Sequence, residues 1–176
     1  MAFTFDTTLA PELYPLAWLV GTWRGAGVLE YPGIDRTEVT QQVVFDHDGG
    51  PYLRYEATVF TAGAEGEDPI VWSTETGYWR VSPEPHEGIK PGQTSLEVLL
   101  ADPAGRVSVY VGAASDGRVD LVSDVIARTT SGAEVSASSR MYGNVAGDLM
   151  WVHSIAAFGN PLQSYISAQL SRVEEE

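Results

Sequence analysis

Beyond residue 20 the chain repeats one pattern: stretches of about eight to twelve residues rich in Val, Tyr, Trp and Thr, each closed by a cluster of Gly, Pro, Asp or Asn. Period-two alternation of apolar and polar positions marks strands with one buried face, and the closing residues are turn formers. The pattern predicts ten strands, over Gly21–Glu30, Thr37–Asp46, Tyr52–Thr61, Ile70–Val81, Thr94–Ala101, Arg106–Ala113, Arg118–Arg128, Ala133–Tyr142, Asp148–Ala157 and Gln163–Arg172. The breaks at Asp46-His47-Asp48-Gly49-Gly50, Asp102-Pro103-Ala104-Gly105, Ser115-Asp116-Gly117 and Gly143-Asn144 are too short for a crossover helix. Neighbours in sequence should therefore pair antiparallel. Two longer connections, Ala62–Pro69 and Pro83–Gln93, read as solvated loops that rim an opening.

Ten successive antiparallel strands leave two unpaired edges unless the sheet closes on itself. The expected fold is therefore all-β, a ten-stranded antiparallel up-and-down β-barrel. A barrel of about eight strands is just wide enough for its own side chains or one small ligand, so ten strands should enclose a roomier cavity, and a cavity implies a ligand. Pro11–Leu19 is too short and proline-broken for a long helix; it predicts one or two helical turns that plug the barrel with Leu16, Trp18 and Leu19. Residues 1–176 are expected to form a single domain, with a cap over 1–20, the barrel over 21–172 and a frayed tail over 173–176 that ends in Glu174-Glu175-Glu176.

Charge and composition narrow the function. Ten Lys and Arg against 24 Asp and Glu leave a net charge of -14, which argues against nucleic acid or an anionic membrane as partner. Alternate outward positions of a meander account for most of this acidity, and Glu56, Glu97, Asp120, Asp124 and Glu134 are expected on the solvated exterior. The single lysine, Lys90, leaves almost no amine for Schiff-base chemistry, and the absence of cysteine removes disulfides, thiolate nucleophiles and iron–sulfur clusters. No basic leader precedes an apolar run at Met1–Ala10, and nowhere do eighteen apolar residues run together, so the expected setting is cytoplasmic. A homodimer is compatible with this composition.

Candidate chemistry is sparse. Gly21-Thr22-Trp23-Arg24-Gly25-Ala26-Gly27 lacks the dinucleotide spacing and no helix follows it, so its glycines read as points of strand bending or close backbone approach and Trp23 as a buried anchor. His47 falls in a hairpin turn and His86 in a loop, both expected to be exposed. His153, between Trp151 and Ile155, is placed to face the cavity, where a hydrogen-bonded structural role is the ordinary one for a lone strand histidine. No histidine pair has metal-ligand spacing, and no Gly-x-Ser-x-Gly elbow occurs.

The motif Gly-x-Trp-x-Gly-x-Gly at Gly21, Trp23, Gly25 and Gly27 resembles the signature of the nitrobindins. The resemblance extends through Tyr31-Pro32-Gly33-Ile34, Glu75-Thr76-Gly77-Tyr78-Trp79-Arg80 and Ile155-Ala156-Ala157-Phe158-Gly159-Asn160-Pro161-Leu162-Gln163, nearly the whole chain. It implies a ten-stranded barrel, similar in shape to fatty-acid-binding proteins, that holds ferric haem b in its mouth and isomerises peroxynitrite to nitrate. In that family one histidine, two residues after Pro-Leu-Gln, ligates the iron; here that position is Tyr165. Gly33 stands where the family commonly has threonine, and Ser73 where a histidine often precedes Glu-Thr-Gly.

These three replacements beside retained fold-bearing residues predict a barrel that has lost haem and the isomerase activity that needs ferric iron, leaving a binding module for a small hydrophobic ligand. A phenolate can ligate ferric haem, but a phenol with a pKa of about 10 must first ionise, and Arg172, the only arginine on that strand, is seven residues away. Strand parity puts Tyr165, Ser167 and Gln169 on one face and Ile166, Ala168 and Leu170 on the other. The period alone turns Tyr165 outward; the resemblance turns it inward, and the inward placement is the one adopted. Two alternatives stay open: a haem b peroxynitrite isomerase with Tyr165 or His153 as substitute ligand, and a structural or interaction barrel filled by its own side chains.

Overall fold

A computed structural model describes residues 5–174; Met1–Thr4 of the cap and Glu175-Glu176 of the expected tail lie outside them. Ten strands follow one another: β1 (Gly21–Tyr31), β2 (Ile34–Asp46), β3 (Leu53–Thr61), β4 (Ile70–Val81), β5 (Thr94–Asp102), β6 (Arg106–Ser115), β7 (Arg118–Arg128), β8 (Val135–Val145), β9 (Asp148–Ala157) and β10 (Gln163–Arg172). They close into a barrel in which every strand pairs antiparallel with its neighbours in sequence and β10 returns to β1. Alternation does what the pattern requires: on β3, Leu53, Tyr55, Ala57 and Val59 are buried while Arg54 and Glu56 face solvent.

The β1–β10 seam explains two of the signature glycines. A Cβ on Gly25 would drive into the carbonyl oxygen of Gln169, and one on Gly27 into that of Ser167, so the two backbones can approach only where side chains are missing.

In an up-and-down barrel the strand ends alternate between two poles. The pole at the start of β1 is plugged by a 3₁₀ helix over Pro11–Leu19. Pro15 removes a backbone donor inside the segment, and at three residues per turn Leu13, Leu16 and Leu19 stack on one side, all fully buried. Leu13 joins the expected plug, and Trp18, half-buried, packs against the same core. Trp23 Nε1 donates to Leu19 O at 2.8 Å, and Arg172 lies 4.2 Å over the Trp23 ring while donating to the carbonyls of Trp18, at 2.7 Å, and Val20. Above this plug the rings of Phe45, Tyr55, Trp79 and Tyr142 fill the barrel, with centroids about 5 Å apart. The roomy cavity expected from ten strands is therefore confined to the opposite pole, the mouth.

Three sequence expectations need correction. The hairpin joining β8 and β9 turns at Ala146-Gly147, with φ of 53° and 94°, not at Gly143-Asn144, which continue β8; the Asn144 side chain instead accepts the Gly147 N–H at 3.1 Å. Strand β2 begins three residues earlier than expected, after a tight Pro32-Gly33 turn with Gly33 at φ 86°. Of the two long connections only residues 62–69 rim the mouth; residues 83–93 join β4 to β5 at the plugged pole. Among the described residues no helix is long and apolar enough to cross a membrane.

Candidate functional site

Two β-bulges build the mouth. On β10, Ser164 pairs with Ser154 and Ile166 with His153, so Tyr165 is the extra residue; on β4, Ser73 pairs with Val59 and Val71 with Phe60, so Trp72 is. A bulge lets consecutive side chains escape strict alternation. Ile166 points into the core at 2% exposure, and Tyr165 beside it also turns inward, its ring edge-on to Tyr31 at 6.0 Å and to His153 at 5.8 Å. The conflict between period and resemblance disappears because the strand carries both residues on its inner side. Trp72 Nε1 reaches across the opening and donates to the Tyr165 hydroxyl at 2.7 Å.

Below this bridge lies a buried ion pair. Arg140 donates to both oxygens of Glu75, at 2.5 and 2.7 Å, with side chains 3% and 18% exposed respectively. Tyr55 donates to the same carboxylate at 2.8 Å, and the guanidinium lies 5.0 Å from the Tyr110 ring centroid. Burial opposes ionisation of Glu75, but the Arg140 charge and its hydrogen bonds outweigh it and hold the carboxyl at about 2. Burial likewise opposes the Arg140 charge, and Glu75 more than compensates, so the guanidinium stays protonated.

His153 extends the network. Its Nε2 is 2.9 Å from Ser138 Oγ, which in turn is 2.8 Å from the Tyr110 hydroxyl, and its ring stacks on Trp151. Burial first, then the nearby Arg140 charge, push the imidazole well below its ordinary value of 6.5, so it is uncharged at neutral pH. Burial raises the Tyr165 phenol above 10, against the opposing hydrogen bond from Trp72.

The mouth holds two adjoining lobes of about 220 and 250 Å³, with Trp72, Glu75, His153 and Tyr165 in the walls of both. Asp102 and Arg106, paired at 2.9 Å, stand at the rim. Of the residues singled out from sequence, His153 and Tyr165 line both lobes and Ser73 the larger one. Gly33 lies in its exposed turn and lines neither lobe, but together with Tyr165 it borders an adjoining groove of about 790 Å³. Gly21, Trp23, Gly25 and Gly27 sit on the plugged side or along the seam, and Arg172 is held on Trp23 there, far from Tyr165 in the strand.

Sequence reasoning missed Glu75, Arg140 and Trp72. Period two could have found the pair: Glu75 is in phase with the buried Trp79, and Arg140 with Tyr142. Trp72 had no such signal, because a bulge breaks the phase that would place it. Two histidines also differ from expectation. His47 has a side chain only 8% exposed, bonded to Asp6 at 2.8 Å, and His86 is half-buried beside Glu97. Among the described residues, no three His, Asp or Glu side chains converge as a metal-ligand cluster.

Residues 12–172 match the family described as "THAP4-like, heme-binding beta-barrel domain". The chain is 46% identical to a "Ferric nitrobindin-like protein" of Kineococcus radiotolerans, over 98% of this chain and 99% of that one. It is 42% identical to one of the same name from Beutenbergia cavernae, over 98% and 100%. A "Peroxynitrite isomerase" of Clavibacter michiganensis subsp. michiganensis is 36% identical, over 96% and 98%. Among solved structures, Rv2717c from M. tuberculosis superposes with a TM-score of 0.76 at 31% identity, covering 94% of this chain and 99% of that one.

Proposed function

The chain belongs to the family of THAP4-like, heme-binding β-barrel domains, and from that membership we propose that it is a nitrobindin-like barrel that has kept the scaffold and lost the haem. On this reading it is a binding module for a small ligand held in the mouth, and it lacks the isomerase activity carried in the names of some relatives. Its acidic surface supports a small-molecule partner over nucleic acid or membrane.

The observation that carries the proposal is the hydrogen bond from Trp72 to Tyr165 across the opening. It occupies the hydroxyl at the position where the resemblance calls for the iron ligand. Burial keeps the phenol protonated, whereas ferric haem requires a phenolate, and no cation free of another partner stands beside it to favour ionisation among the described residues. His153 supports the same conclusion: its Nε2 is engaged by Ser138 and its ring is stacked on Trp151. The residues present do not fit haem b.

The proposal is tested by titrating the purified chain with hemin and following the Soret band. Spectra that match free hemin throughout are the expected result; a shifted band that saturates at one hemin per chain would overturn the reading.

A further inference from the structure

The larger lobe contains a polar group that the network above leaves unused. Gln41 stands in its wall at the middle of β2, opposite Gly25 and Val59, and is 3% exposed. Its Oε1 accepts the indole N–H of Trp151 at 2.7 Å, and since an indole can only donate, this bond fixes which way the amide points. Gln41 Nε2 is left with no acceptor among the described residues. A buried donor in that state is costly unless something outside the chain completes it.

The rest of the wall says what that something is. Ala57, Val59, Ile166 and the rings of Trp72, Trp151 and Tyr165 present apolar and aromatic surface. The charges are already matched: Glu75 by Arg140, and Asp102, whose Oδ1 is the other unpartnered atom here, by Arg106. His153 is uncharged. An ionised ligand would lose its hydration and find no free counter-charge. A cavity of about 150 Å³ holds benzene, so the 250 Å³ of this lobe holds a substituted ring or a fused pair.

We propose that this lobe binds an uncharged one- or two-ring aromatic molecule whose carbonyl or ring-nitrogen acceptor takes the hydrogen bond of Gln41 Nε2. The inference rests on the haem-free reading of the mouth and adds the ligand's chemistry to it. Trp151, held in a stack between Tyr142 and His153, orients the Gln41 amide with its N–H.

Indanone and indane, the same bicycle with and without a carbonyl, are the probes. Each is titrated into the full chain, and the Gln41 side-chain amide and the Trp72 and Trp151 indole signals are followed in proton–nitrogen correlation spectra. Indanone should bind about tenfold or more tightly than indane, because only it completes the buried donor, and it should move the Gln41 amide signals. In Gln41→Met the discrimination should fall to about onefold. Equal binding of the two probes, binding of neither, or indanone binding that leaves the Gln41 amide unmoved would overturn the proposal. The amide signals are read in the unmutated chain, so the decision stands even if the variant fails to fold. The hemin titration separates the two levels: no hemin complex and no indanone complex defeats this inference alone, whereas a stoichiometric hemin complex defeats the reading beneath it.

Discussion

A phenol at position 165 must ionise before it can hold ferric iron, and a neutral imidazole need not. Tyr165→His should therefore raise hemin affinity by at least about tenfold, a change that needs only some 1.4 kcal/mol from the new ligand. A folded variant whose hemin spectra match those of the parent would contradict this. Beneath Tyr165, Glu75→Gln strands the Arg140 charge and should lower stability by about 3–5 kcal/mol in urea melts, while replacing both partners with apolar residues of similar size should cost far less. An equal loss from the double replacement would show that the pair itself stabilises the fold. Position 165 was legible because flanking motifs fix its register. The ion pair was not, because an acidic exterior is the ordinary fate of strand carboxylates and only the phase relative to Trp79 and Tyr142 separates Glu75 and Arg140 from the rest.

Glu75 and His153 set an acid limit. Glu75 falls from an ordinary 4.5 to about 2 on folding, so its contribution is fully present above 4.5 and is lost as pH drops from there towards 2. His153 is pushed below 6.5, so the unfolded chain takes a proton that the folded one refuses, and stability erodes as pH falls below 6.5. Urea midpoints should therefore decline from about pH 6.5 downward and steepen below about 4.5; midpoints unchanged between about pH 7 and 4 would contradict both assignments.

At the scale of elements, the strands were readable because glycine, proline and aspartate punctuate a period-two pattern, and what was misread is local. Asn144 looked like the turn residue of the β8–β9 hairpin but only caps it, and the chain turns two residues later. The bulges at Trp72 and Tyr165 have no signature in composition, since each inserts one ordinary residue and shifts the phase of the rest of its strand; the bridge across the mouth is made of what alternation cannot see. The plug obeys a simpler rule, three leucines at spacing three. Leu16→Ala, which leaves a void between helix and barrel, should cost about 2–5 kcal/mol in the same melts, and a loss well under 1 kcal/mol would mean the helix is not part of the cooperative core.

For the molecule as a whole, closure into a ten-stranded barrel leaves no sheet edge, the helix and the aromatic layer fill one pole, and only the mouth stays open. Counting strands foretold the closure but not how much of the interior the barrel's own side chains would occupy. What binds there therefore depends on a few residues around the rim rather than on the size of the barrel. The most direct measurement is of pigment: the chain is produced in cells supplied with iron and a haem precursor, and the Soret-to-protein absorbance ratio of the purified material is determined. Colourless protein with no porphyrin above trace is the predicted result; reddish-brown protein carrying one porphyrin per chain would contradict a mouth in which Trp72 holds the Tyr165 hydroxyl.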